Sequence, residues 1–93
     1  MNAAEEFTLT VAEIVREAAD MGDAALAGDF DEARFRATLI IALADAAGLN
    51  DVVLAAALAL DKLGTTGDKP KSGYGAAILS LADRLDAVGF DPL

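Results

Sequence analysis

The sequence predicts an all-α fold, a compact four-helix bundle running mainly antiparallel, up-down-up-down. Three observations predict it. Apolar residues recur at alternating spacings of three and four, the period of a helix buried on one face. Each apolar stretch is bracketed by helix-starting and helix-stopping residues. No period-two alternation, the signature of a half-buried strand, runs through the chain.

The first helix is expected over about 10–27. Thr10-Val11-Ala12-Glu13 has the form of a capping box, with Leu9 and Ile14 placed as a hydrophobic staple. Val11, Ile14, Val15, Ala18, Met21, Ala25 and Leu26 share an apolar face, and Glu13, Arg16, Glu17, Asp20 and Asp23 share the other. Gly22 interrupts the apolar stripe at a cost of about 1 kcal/mol relative to alanine, which predicts a close backbone neighbour. Gly28 stops the helix. Asn2 to Glu5 has the residues to cap a short leading helix, anchored by Phe7.

The second helix is expected over about 30–47, opened by the box Asp29-Phe30-Asp31-Glu32. So short a connection folds it back on the first as a hairpin. Asp31, Arg34, Thr38 and Asp45 form one narrow polar face, and from Ala37 to Ala47 most of the remaining circumference is apolar. A helix of that kind is central or packs on another chain. Gly48 ends it and Asn50 is the expected cap of a third helix, about 51–63. There Val52, Val53, Leu60 and Leu63 make one face, while Leu54 and Leu58 lie on the polar side. Residues 64–73 carry three glycines, a proline and two of the three lysines, and read as a mobile loop. The last helix, about 74–88, repeats Tyr74, Ile78, Leu81, Leu85 and Val88 as a bundle seam. Gly89 and Phe90 suit a Schellman ending with Phe90 on Leu85.

Composition bounds the function. The chain has 93 residues, one domain's worth, and 55% of them are apolar, mostly small aliphatics. Sixteen acids against seven bases give a net charge of −9, and nine of those acids precede Arg34. Nucleic acid and anionic membrane surfaces are therefore not expected partners, because both are bound through clustered Lys and Arg. A protein with a basic surface fits the charge. The absence of cysteine suits a reducing cytoplasm, and no signal-peptide pattern marks the first twenty residues. The longest apolar runs, 37–44 and 52–60, fall short of the ~20 residues of a membrane span.

Catalytic chemistry has few carriers here. With no His and no Cys, the usual general base, the thiolate nucleophile and the commonest metal ligands are missing, so neither enzyme activity nor a cofactor is expected. The cluster Asp29, Asp31, Glu32 and Asp23 is explained by helix N-termini, which favour acids. Lys69 and Lys71 flank Pro70 without a Walker pattern. The candidate interface residues are Glu13, Glu17 and Asp20, an acidic ridge on the first helix, and Leu54, Leu58 and Leu79, leucines on polar faces. They fit an interaction module of inhibitor, immunity, adaptor or chaperone type, or alternatively a homo-oligomeric bundle.

Asp29-Phe30-Asp31-Glu32-Ala33-Arg34 and the helix pair that follows resemble histidine-phosphotransfer domains, over about 25–63. The resemblance implies a docking bundle without transfer, because neither the accepting His near Ala37 nor the lysine behind it is present. The same stretch is similar to one tetratricopeptide helical pair, though one repeat makes no solenoid. Acyl carrier proteins match in size and charge, but Ser72 and Ser80 do not stand at the start of the second helix, where their Asp-Ser-Leu site lies.

Overall fold

Local signals produce four helices, and the computed structural model, which describes residues 2–89, places them as α1 (Ala3–Leu26), α2 (Phe30–Ala46), α3 (Asn50–Leu63) and α4 (Tyr74–Gly89). No strand occurs among the described residues. Helix α1 begins earlier than the Thr10 box predicts. The Asn2 side chain caps it by accepting from the Glu5 amide at 2.9 Å, and Ala3 to Glu6 are adequate helix formers, so Thr10 becomes an interior residue. The 24 residues of α1 span about 36 Å, against about 21–26 Å for the other helices. Residues 2–9 are all exposed, Phe7 and Leu9 included.

The two tight connections share one mechanism. Gly28 (φ +78°) and Gly48 (φ +74°) adopt the left-handed conformation, and the amides around each close both bonds of a Schellman turn. Gly28 N–H reaches Ala25 O and Asp29 N–H reaches Ala24 O; Gly48 N–H reaches Asp45 O and Leu49 N–H reaches Ala44 O. Asp29 then caps α2, its carboxylate accepting from the Glu32 amide at 3.2 Å. At α3 the cap position falls to Leu49, which makes no side-chain cap; Asn50, the expected cap, is the first helical residue.

Each helix packs on two neighbours, in the cyclic order α1, α2, α3, α4, and the backbones of diagonal pairs stay apart. Ile14, Met21, Ile40, Val52, Leu63 and Leu81 are the largest fully buried side chains. Ala33, Ala37, Ala44 and Ala56 are buried among them and allow close helix approach. At one end, Phe30 and Tyr74 meet edge to face with ring centroids 5.5 Å apart. The α4 seam lies where its spacing predicts, with Leu81 and Leu85 buried and Tyr74, Ile78 and Val88 packed against the core. Its expected ending on Phe90 lies outside the described residues. The α1 stripe fails at Leu26, which is 89% exposed. Helix α2 buries Ala33, Ala37, Ile40 and Ala44 but leaves Phe35 54% exposed, because two neighbours in a ring of four do not cover the whole circumference of a helix.

Arg34 organises the end of α3. Its guanidinium is buried and donates from Nε (3.1 Å) and Nη2 (2.6 Å) to Leu63 O, from Nη2 to Asp68 O (2.5 Å) and from Nη1 to Asp31 Oδ1 (2.5 Å). A cation at the negative end of a helix satisfies carbonyls that have no intrahelical partner. Residues 64–73 are correspondingly not a free loop. Besides the Asp68 contact, Lys71 N–H donates to Lys62 O, Gly67 N–H reaches Asp31 Oδ1, and the Thr65 hydroxyl bonds the Asp68 carboxylate.

Candidate functional site

Most acids that the sequence offers as chemistry are already engaged. Asp29 caps α2, Asp31 pairs with Arg34, and Glu32 accepts from Arg36 Nε at 2.9 Å instead of closing its capping box. Asp61 and Asp68 border a small depression with Thr65, where Asp61 faces Lys71 Nζ at 3.5 Å. Among the described residues, no three His, Cys, Asp or Glu side chains converge as a metal site, and no helix is long and apolar enough to cross a membrane.

The acidic ridge of α1 is divided. Glu13 is exposed, but Arg36 of α2 reaches across the hairpin to Glu17 at 2.9 Å and to Asp20 at 3.7 Å. The Glu17 side chain is left only 13% exposed. Arg36 is held above the usual guanidinium pKa, first by its hydrogen bond to Glu17 against a smaller desolvation effect, then by the charges of Glu17 and Glu32 and the Glu32 bond. The two arginines differ in how far the sequence shows their roles. The Glu32–Arg36 spacing of four is a visible helical pair, whereas Arg34 takes partners 29 and 34 residues away, beyond any local pattern.

The apolar candidates separate as well. Leu54 and Leu58 stand one turn apart on the outer side of α3, both exposed. Leu79, 67% exposed, lies elsewhere, on the rim of a groove of about 800 Å3 between α1 and α4. Gly22, Ala25 and Leu26 line it from α1, Tyr74, Gly75, Ile78 and Leu79 from α4, and Pro70 to Gly73 close one end. Gly22 corrects the sequence reading. A Cβ there would meet nothing within 4 Å, so no backbone approaches it, and the same is true of Gly75. Neither has a positive φ. The mid-helix cost of Gly22, about 1 kcal/mol, thus has no counterpart in this chain's own packing or backbone conformation.

No family model, curated protein or solved structure matches the chain. The site therefore rests on its own geometry: a mainly apolar groove in whose wall Gly22 and Gly75 carry no side chain, with the exposed Leu26 and Leu79 also lining it. Such a surface buries apolar area when a complementary side chain or helix enters, at about 25 cal/mol per Å2.

Proposed function

We propose that this chain is a small, non-enzymatic protein-interaction module, of inhibitor, immunity, adaptor or chaperone type, whose partner seats in the α1/α4 groove. The observation that carries the reading is the pairing of Leu26 and Leu79, both largely exposed, across a groove that Gly22 and Gly75 leave unfilled. The ionised side chains most suited to chemistry act as caps and bridges, which supports binding over catalysis. The acidic ridge adds field rather than a row of free carboxylates, since Arg36 occupies Glu17 and Asp20. A photo-crosslinking side chain at position 79, in cells that make the protein, is expected to give a discrete adduct that the same group at Asp45 does not. Identical labelling from both positions, or none from either, would remove the reading.

A second reading, self-association, is favoured by Leu54 and Leu58, which expose apolar surface on a different helix. It predicts a concentration-dependent sedimentation coefficient that Leu54→Glu abolishes. A strict monomer at high concentration eliminates it.

A further inference from the structure

We infer that the outer side of α3 is a twofold interface, on which a second copy of the chain lays its own α3 antiparallel, Leu54 of each copy against Leu58 of the other. This rests on the self-association reading above and adds the direction and the contacts. Helix α3 turns Val52, Ala56, Ala59 and Leu63 into the bundle. Leu54, Ala57 and Leu58 stand on the opposite side, all exposed. In the ring of four, α3 is flanked by α2 and α4, so no helix of the same chain covers that side.

Charge selects the occupant. The net charge of −9 is not spread evenly along the chain. Residues 50–73 hold three acids, Asp51, Asp61 and Asp68, and all three lysines, Lys62, Lys69 and Lys71, so this stretch is neutral and the excess lies elsewhere. A second copy therefore meets the least repulsion here. Asp51 and Lys62 stand eleven residues apart, close to three full turns, which puts them on the same flank of the leucines and about 16 Å apart along the axis. Among the described residues neither has an ion-pair partner, whereas Asp61, on the other flank, is turned to Lys71. The charge pair is centred between residues 56 and 57 and the leucine pair on residue 56, so one twofold axis level with Ala56 serves both. About that axis Asp51 of each copy meets Lys62 of the other, twice over. A parallel pairing would instead set Asp51 on Asp51 and Lys62 on Lys62, and would align the two α3 dipoles rather than oppose them. A contact of one helix pair belongs to the small, weak class of interface, below about 1,200 Å2, and a Kd of about 100 µM is expected.

Sedimentation velocity of the full chain between about 10 µM and 1 mM reads the association. The wild type is expected to shift toward dimer over that range, and Leu54→Glu to stay monomeric. Asp51→Lys and Lys62→Asp each turn two attractions into two repulsions and should weaken association at least about fivefold. Combined in one chain, which restores both the pairing and the net charge of −9, they should return it to within about twofold of wild type. Thermal melts check that each variant folds. A second route needs no charge reversal, because the chain has no cysteine of its own. A short bis-maleimide should join Asp51→Cys to Lys62→Cys in a mixture of the two and join neither variant to itself. A strict monomer at about 1 mM overturns the arrangement together with self-association. A dimer that Leu54→Glu leaves intact, a double swap as weak as the single ones, or Asp51→Cys joined to itself overturns the arrangement and leaves self-association standing.

Discussion

Replacing Arg34 by methionine keeps the aliphatic stem and removes the fork that ties α2 to the end of α3. Leu63 O accepts twice from the guanidinium in a buried setting, and losing both donors leaves it unsatisfied at about 1–3 kcal/mol. Asp68 O is only part-buried and can turn to water, so it adds less than about 1 kcal/mol. The Asp31 pair has an exposed acid partner, 59% accessible, and contributes at most about 1 kcal/mol. Relief of guanidinium desolvation acts in the opposite direction. The net expectation is a loss of about 2–3 kcal/mol, or roughly 10–20 °C in Tm for a domain of this size. Urea denaturation followed by circular dichroism measures it. Arg34→Lys, with a point charge in place of a fork, should lose about half as much. Hydrogen exchange should show the Lys71 amide, which bonds Lys62 O, opening before the global transition in the methionine variant. A loss below about 0.5 kcal/mol for Arg34→Met would show that the buried fork is replaceable by packing and refute this reasoning.

Other consequences are simpler. Gly48→Ala, forced into φ +74°, should cost about 1–2 kcal/mol, whereas Gly22→Ala, in open space with helical geometry, should gain about 1 kcal/mol in the same thermal melts. Arg36→Gln should lower the Tm most at low salt, with the gap narrowing as salt screens the Glu17, Glu32 and Asp20 bridges. Because the folded-state pKa of Arg36 is raised, its stabilisation is fully present below the unfolded value and lost only above the folded one. The Arg36 contribution should therefore stay constant between about pH 6 and pH 10 in pH-resolved melts. Asn2→Ala should speed amide exchange over residues 3–8 while leaving Tm near wild type, because that part of α1 is exposed; Thr10→Ala should change neither.

Helix number, the α4 seam and both glycine stops were legible because each depends on residues within one or two turns of one another. Gly28 and Gly48 are needed for positive φ, and Leu81 and Leu85 are buried where a period near 3.6 puts them. What stayed hidden depends on contacts across the chain. Arg34 looks like a surface residue beside Asp31 and Thr38, and only the arrival of α3's last carbonyl makes it interior. Thr10 satisfies a start pattern that an extended helix simply overruns. Gly22 signalled an anomaly, but a missing Cβ reads the same whether a backbone fills the space or nothing does, and here nothing does. The candidate leucines scatter for a similar reason: Leu79 gains a groove from α1, while Leu54 and Leu58 face away from the bundle.

The proposed partner surface is the seam between α1 and α4. An amide chemical-shift map of the labelled chain, titrated with a synthetic amphipathic helical peptide, reads that surface directly. The largest changes should fall on Gly22 to Leu26 and on Gly73 to Leu79, with Glu13 to Asp20 and Leu54 to Leu58 nearly unmoved. Changes centred instead on either of those two quiet regions would contradict it.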